Sequence, residues 1–253
     1  MRKKTYIILI IATLVLSVTV TVMFFPPCRP KPEIEVIQKP KEIIKPLISP
    51  LFKEHIFIIK EKKQDFENIV NIRKKGDLYY FDSREIKGKY TVTEAKLNMD
   101  FETIEWKFSY PKKNINVVAV RKGNKIFLTG TFDNKENNKK EINIDERKWQ
   151  QVYQLGLMKF AVKEVKGKSV EFWCLNPNEP GNAMVIAATK EGQETITVNG
   201  NKTETARLRI CLAGLLSVFW TGDYWFRLSD GFFVKAKVSG DLFVELKEEK
   251  QKK

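Results

Sequence analysis

One uncharged run near the N-terminus constrains this chain more than any other feature. Residues 5–25 read TYIILIIATLVLSVTVTVMFF and follow the basic start Met1-Arg2-Lys3-Lys4 at positions 1–4. At 1.5 Å per residue, a helix of this length extends roughly 30 Å, the thickness of the hydrocarbon core of a bilayer. Because basic residues before such a helix stay in the cytoplasm, the sequence predicts a single-pass anchor with everything after Phe25 exported.

The main alternative to an anchor is a cleaved signal peptide, which needs small residues at alternate positions before the cleavage site. Residues 22–27 read VMFFPP, so bulky side chains and prolines stand where small residues are required. A lipoprotein signal would place a small residue directly before its cysteine, whereas Cys28 follows two prolines. We therefore predict an uncleaved helix in the inner (cytoplasmic) membrane, with a cleaved signal or lipidation at Cys28 as the alternatives.

Residues 26–50 contain seven of the ten prolines, and lysine-proline pairs recur at Lys31-Pro32, Lys39-Pro40 and Lys45-Pro46. Proline removes a backbone donor and holds φ near −65°, so this segment cannot form a regular helix. If it were fully extended it would reach roughly 75 Å. A stiff stalk and an ordinary linker without fixed length both fit this composition.

Residues 51–250 remain for one exported domain, which is long enough to bury a sizeable core. The formal net charge of the chain is +14, from 45 Lys and Arg against 31 Asp and Glu. Such a charge favours anionic partners such as lipid head groups, acidic glycans or nucleic acid. The basic residues are scattered in short groups, which is also typical of a solvated surface, and export argues against nucleic acid.

The sequence pattern of the exported domain is typical of β-strands. Short runs in which apolar and polar residues alternate are separated by turn signals, most clearly Gly123-Asn124 and Asn199-Gly200. About a dozen strands with short connections predict a mainly β fold, as one curved antiparallel meander or open barrel. Residues 133–140 are polar throughout and are predicted to form a loop.

One segment, at about residues 145–161, has the periodicity of a helix. Its apolar positions are Trp149, Val152, Tyr153, Gly156, Leu157 and Phe160, which fall on one helical face. Asp145 is suited to cap its N-terminus. We predict a single helix here, with its aromatic face packed against the sheet.

The chemistry-bearing residues are sparse. His55 is the only histidine, which excludes a multi-histidine metal site, and a strand-end or surface position is the simplest interpretation of it. No nucleotide-binding, nucleophile-elbow or C-x-x-C motif is present, so we predict no enzymatic activity, no metal and no cofactor. Cys174 shares the alternation of the core residues, whereas Cys211 alternates with arginines. This difference in phase argues against a Cys174–Cys211 disulfide.

An aromatic cluster is the candidate binding site of the domain. The candidate residues, taken as ligand-binding, are Trp173, Phe219, Trp220, Tyr224 and Trp225. Strand alternation places neighbouring aromatic residues on opposite faces of the sheet, which leaves more aromatic surface than a small core requires. Either one face meets a ligand or partner, or the helix covers these residues and they are core.

The C-terminal third of the chain resembles the DUF3108-type exported bacterial β-sheet proteins. The resemblance rests on the sequences ATKEG at 188–192, ETITVNG at 194–200, FW at 219–220 and YWFRLSDG at 224–231, with Ala206 between them. It implies a curved antiparallel sheet in the cell envelope and no agreed activity. A curved sheet around a helix is also similar to the folds of lipoprotein carriers, which hold acyl chains.

Taken together, the sequence predicts a membrane-anchored bacterial envelope protein whose domain lies in the periplasm or outside. Its partners would be the membrane, through the N-terminal helix, and either a lipid or another envelope protein. Two roles remain open. The first is a non-catalytic β-domain that binds an apolar or lipid-like ligand, and the second is a structural or protein-interaction module of an envelope assembly.

Overall fold

The structure is a computed structural model that describes residues 53–61, 64–86, 90–214, 220–239 and 241–251. The predicted transmembrane run at 5–25, the proline-rich segment at 26–50 and Phe219 lie outside these ranges. Within them, no helix has the length and apolar character needed to cross a bilayer.

The described residues form one antiparallel sheet of fourteen strands. The strands are β1 (Lys53–Glu61), β2 (Gln64–Lys75), β3 (Leu78–Ile86), β4 (Val92–Leu97), β5 (Thr103–Tyr110), β6 (Ile115–Lys122), β7 (Lys125–Phe132), β8 (Lys135–Asn143), β9 (Ser169–Asn176), β10 (Glu179–Val198), β11 (Asn201–Leu212), β12 (Thr221–Arg227), β13 (Phe233–Val238) and β14 (Leu242–Gln251). A 3-10 turn at Pro111–Lys113 joins β5 to β6.

Two meanders make up this sheet, and the two terminal strands join them. Strands β1 to β8 follow one another in sequence order, as do β9 to β14, and β1 pairs with β14 in the middle of the sheet. His55 therefore lies opposite Val70 of β2 on one side and Glu249 of β14 on the other. The edge strands are β8 and β9.

The sheet curves until its two edge hairpins meet at one rim. Lys113 Nζ donates a hydrogen bond to Asn178 Oδ1 at 2.9 Å, across 65 residues of sequence. At Gly181, a Cβ atom would lie 2.1 Å from Asp133 Oδ2, so the start of β10 packs directly on the β7–β8 turn. The predicted curved antiparallel sheet is confirmed, and its open side is nearly closed.

The predicted helix at 145–161 is wrong in its first half. The structure has two short helices, α1 (Tyr153–Gly156) and α2 (Met158–Lys163), and the chain before them is extended. Trp173 N donates to Lys148 O at 2.8 Å and Gln150 N donates to Trp173 O at 2.9 Å, so this segment lies along the edge strand β9. The pairing gives partners to backbone groups of the edge strand β9 that would stay open if this segment were helical.

The loop predicted at 133–140 is also wrong, because Lys135–Asn143 is the edge strand β8. Seven of its nine residues are exposed. Because the strand has no buried face, its sequence lacks the alternation of apolar and polar residues by which strands are recognised. Lysines on an exposed edge also hinder pairing with another chain.

The concave side of the sheet is filled by aromatic and aliphatic side chains and by the two helices. Fully buried members of this core are Trp106, Trp149, Phe132, Phe172, Phe226, Phe232 and Leu157. Where the helices meet the sheet, the hydroxyl groups of Tyr153 and Tyr224 hydrogen bond at 3.0 Å. Within the described residues, the helices and these side chains therefore fill the concave side of the sheet.

Candidate functional site

The predicted aromatic residues do not converge on one site in the described part of the chain. Tyr224 faces the core and is 3 % exposed, and burial raises the pKa of its hydroxyl to about 12. Trp225 is next in sequence and faces outward, half-buried, where its Nε1 donates to Glu194 Oε1 at 2.8 Å. Trp220 is half-buried just before β12, and Phe219 lies outside the described residues.

Trp173 is a separate feature on the outer side of the edge strand β9. Its Nε1 donates to Asp145 Oδ1 at 2.8 Å, and the Arg147 guanidinium lies 5.2 Å from the ring centroid. Hydrogen bonds from Arg147 and Trp173 hold the pKa of the Asp145 carboxyl well below its usual range. The residue predicted as a helix cap therefore fixes the orientation of this tryptophan instead.

The pairing of neighbouring strands with β10 gives the distance between the two outward tryptophans, Trp173 and Trp225. Trp173 is opposite Val185, whereas Trp225 is opposite Arg207, which in turn faces Gly192. These β10 residues are seven positions apart, which is roughly 23 Å along a strand. One small ligand could not contact both rings.

A polar centre that sequence reasoning missed lies where β1, β14 and the β12–β13 turn meet. The Arg227 guanidinium donates to both carboxyl oxygens of Asp230 at 2.6 to 3.0 Å and to both of Glu249 at 3.0 Å. The Nδ1 atom of His55 lies 3.4 Å from Glu249 Oε1. Hydrogen bonds from His55 and then from Arg227 hold the pKa of the Glu249 carboxyl well below its usual range.

This His55–Glu249–Arg227–Asp230 cluster has a structural role, because it connects β1, β14 and the β12–β13 turn. His55 is fully buried and its ring stacks on Phe232, with 4.1 Å between the centroids, so a substrate could not reach it from solvent. His55 does lie near the start of β1, but the surface position predicted for it is wrong. The sequence signal that could have revealed the cluster is the RLSD sequence at 227–230, because an arginine three residues before an aspartate suits a tight turn.

The cysteines divide into one thiol and one disulfide. Cys174 is a buried free cysteine, and burial raises its pKa to about 12. Cys211 is disulfide-bonded. The two cysteines therefore do not pair with each other, as their opposite phases predicted.

Lys190 is another buried polar residue in the described part of the chain, and its partner is part of the fold. Lys190 is 2 % exposed, and its Nζ donates to Ala161 O in the last turn of α2 at 2.6 Å. Burial lowers the pKa of this lysine. Among the described residues, no group of three or more His, Cys, Asp or Glu side chains is placed to hold a metal ion.

An open concavity lies outside the core, on the outward face of β1, β2 and β3. We call it the β1–β3 groove; its volume is about 430 Å³. The groove is lined by Glu54, Ile69, Asn71, Arg73, Asp82, Arg84 and Ile86. Ile86 is 40 % exposed, which is unusual for an isoleucine on a sheet.

The polar wall of the β1–β3 groove is organised around Asp82. Asn71 Nδ2 donates to Asp82 Oδ2 at 3.0 Å, and Arg73 Nη2 donates to Asp82 Oδ1 at 3.1 Å. The Oδ1 atom of Asn71 is buried and has no partner among the described residues. Because this atom is enclosed by the protein, the groove presents the Asp82 carboxylate and the Arg73 guanidinium rather than the Asn71 oxygen.

Comparison with known proteins supports the fold and leaves the role open. The sequence matches no protein-family model and no curated protein. The chain is similar in structure to a β-barrel-like protein of the domain of unknown function DUF1849 from Brucella abortus. That similarity has a TM-score of 0.53 and 9 % identity, over 79 % of this chain and 98 % of the other.

A weaker similarity is to the hypothetical lipoprotein YmcC from Escherichia coli, with a TM-score of 0.34 and 9 % identity. It covers 79 % of this chain and 84 % of that protein. At 9 % identity, the similarity to the DUF1849 protein shows the fold alone, a β-barrel-like sheet. The resemblance to DUF3108-type proteins remains a prediction.

Proposed function

We propose that this chain is a non-catalytic interaction module of the bacterial cell envelope, anchored by residues 5–25, whose partner binds in the β1–β3 groove. The main observation behind this proposal is the contrast between the concave and the outward face of the sheet. The concave face is filled by the core and the helices, whereas the outward face offers an open groove with an exposed isoleucine.

The groove favours an extended segment of another protein. Ile69 and Ile86 offer apolar contact, and the exposed Arg84 suits a carboxylate. A peptide in extended conformation presents apolar and acidic side chains at short intervals. The disulfide at Cys211 supports export, because disulfides persist in oxidising compartments.

Site-specific photo-crosslinking in the full-length protein tests this proposal. A crosslinking amino acid at position 86 should yield a discrete adduct in cells, and Arg84→Glu should weaken it. The matched control is position 107, because Lys107 is exposed on the outward face of β5, away from the groove. Equal yields at positions 86 and 107, or no adduct at 86, would contradict the proposal.

Lipid extraction from the purified full-length protein tests the other candidate role. An interaction module should retain no lipid in stoichiometric amount after detergent exchange. If mass spectrometry finds such a lipid, and Trp173→Ala, Trp220→Ala or Trp225→Ala abolishes its retention without lowering the melting temperature, the domain binds an apolar ligand instead.

A further inference from the structure

The strand order brings one set of turns to the end of the sheet at which β1 begins and β14 ends. We call this end the basal rim. In an antiparallel meander, alternate turns share an end, so the β2–β3, β4–β5 and β6–β7 turns lie at the basal rim, together with the α2–β9 connection. The chain between the predicted membrane helix and the domain also arrives here, at Lys53.

Direct contacts connect the start of β1 to helix α2 across this rim. His55 meets Glu249, and Glu249 binds Arg227 at the β12–β13 turn. In the same turn, a Cβ atom at Gly231 would lie 2.9 Å from Met158 O and 3.2 Å from Val162 Cγ2. The turn therefore packs closely on α2, which makes the basal rim a continuous, rigid surface.

A group of residues that we call the basal patch stands out on this rim. It consists of Met99, Lys148, Lys159, Lys163, Val165, Lys166 and Lys168. Met99 is 42 % exposed and Val165 is 54 % exposed, which makes them two of the four large apolar residues that are exposed in the described part of the chain. All five lysines are exposed as well.

Local geometry holds the apolar tip of the patch outward. Lys168 N donates to Val165 O at 3.3 Å, and Gly167 has a φ of +88°, as expected at the third position of a type II turn. The turn is tied to the sheet by Gly167 N, which donates to Lys190 O at 2.7 Å. Val165 and Lys166 are thus displayed on a fixed support.

The charge of the patch is strongly positive. Asp100 binds Lys159 at 3.1 Å, and Lys159 and then Lys148 lower the pKa of this carboxyl, which places these three groups together. Counted over positions 99–100, 148 and 159–168, five lysines stand beside two acidic residues, Asp100 and Glu164, which is a formal excess of three positive charges. Lysines near an anionic membrane each strengthen binding by roughly fivefold.

We propose that the basal patch docks the domain on an anionic bilayer surface, with Val165 and Met99 entering the head-group region and the lysines contacting lipid phosphates. Exposed apolar tips between lysines suit the boundary between head groups and acyl chains. Two other environments fit the patch less well than a bilayer. Bulk solvent and a soluble polyanion would both leave the apolar tips without a favourable contact. Docking would hold the β1–β3 groove sideways to the membrane, so the inference does not depend on what the groove binds.

The test uses the full-length protein in vesicles, with an environment-sensitive fluorescent amino acid at position 165. Vesicles of phosphatidylcholine alone and vesicles that also contain phosphatidylglycerol should anchor the protein equally through residues 5–25. We expect blue-shifted emission only with phosphatidylglycerol. The shift should disappear in high salt and in the double variant Lys163→Glu with Lys166→Glu.

The matched control is Lys135→Glu with Lys139→Glu, which makes the same change in charge on the edge strand β8. Both lysines are exposed and lie outside the patch. This variant should keep the blue shift. The proposal is overturned if the shift is absent, if it is equal in neutral vesicles, if both double variants abolish it, or if soluble polyglutamate produces it without vesicles.

Discussion

At the scale of single residues, Arg227 connects the two ends of the folded chain. Its guanidinium binds Asp230 in its own turn and Glu249 on the C-terminal strand, while Glu249 also meets His55 on the N-terminal strand. Charged groups that are this fully paired stabilise a fold through their mutual hydrogen bonds, and leaving one unpaired is costly.

Glu249→Gln should lower the stability of the domain at neutral pH and remove part of its sensitivity to acid. The folded-state pKa of Glu249 lies below its usual value of 4.5, so its contribution is fully present above about pH 4.5 and is lost as the pH falls further. We expect a loss of about 1.5–3 kcal/mol at pH 7, typical of hydrogen bonds to charged groups.

Urea unfolding followed by circular dichroism between pH 7 and pH 2 measures this effect. Glu248→Gln is the control, because Glu248 is an exposed neighbour whose described ion pair is with Lys250. The variant Glu249→Gln should show a shallower fall in unfolding free energy below pH 4.5 than the wild type or the control. Parallel curves for all three proteins would rule out the assigned role of Glu249.

The two described cysteines should differ sharply in reactivity. Cys174 is buried with a raised pKa, so iodoacetamide at pH 8 should not modify it in the native protein and should modify it once the protein is unfolded. Cys211 should be modified only after reduction, because it is disulfide-bonded. Peptide mass spectrometry reads both sites, and rapid native labelling of Cys174 would contradict the structure.

At the scale of elements, strands β6 and β7 approach each other too closely for a side chain at one point. Gly130 has a φ of +132°, and a Cβ atom there would lie 2.1 Å from the backbone oxygen of Asn116. The strand register shifts just beyond it, between Gly130 and Phe132. Glycine is required here by backbone geometry and by space together.

Gly130→Ala should therefore destabilise the domain by about 3 kcal/mol or more, since a backbone atom would have to move. Gly123→Ala is the matched control: its φ of +58° is also positive, but a Cβ atom there meets nothing within 4 Å. The control should cost about 1 kcal/mol, from the conformation alone. Thermal unfolding of both variants tests the difference, and equal melting temperatures would show that the strands can separate at Gly130.

At the scale of the whole molecule, one strand holds two halves together. β1 pairs with β2 of the first meander and with β14 of the second, and it supplies the buried residues His55 and Phe57 to the core. A strand in this position cannot be removed without exposing two new edges in the middle of the sheet.

Two truncations test the position of β1. Removal of residues 1–52 should leave a domain that unfolds in one cooperative transition, because every described strand remains. Removal of residues 1–61 should abolish that transition, since β2 and β14 lose their shared partner. Near-ultraviolet circular dichroism during heating distinguishes the two outcomes, and a cooperative transition in the shorter protein would show that the meanders join without β1.

The anchor prediction belongs to the whole molecule as well. If residues 5–25 remain as a membrane helix, the mature protein should begin at or next to Met1 and stay in the membrane fraction after an alkaline carbonate wash. Mass spectrometry that finds an N-terminus between residues 20 and 30 would replace the anchor by a cleaved signal.

Local patterns in the sequence predicted those features of the fold that depend on neighbouring residues. Alternation reveals a strand when one of its faces is buried, as in β11, and Asn199-Gly200 predicted its turn because both residues must adopt positive φ, as they do at 46° and 76°. The same alternation placed Cys174 and Cys211 on opposite faces. These features are determined by chain geometry over a few residues, before any distant contact forms.

Features that depend on distant partners were decided by the tertiary structure alone. Residues 145–152 carry a helical pattern, yet they pair with β9 because that edge needs a partner, and β8 has no pattern because no layer covers it. His55 is buried only because β14 returns Glu249 beside it, 194 residues later in the chain. The basal patch arises in the same way, because the sheet order brings together residues that are distant in the sequence, whereas the groove lies on three consecutive strands.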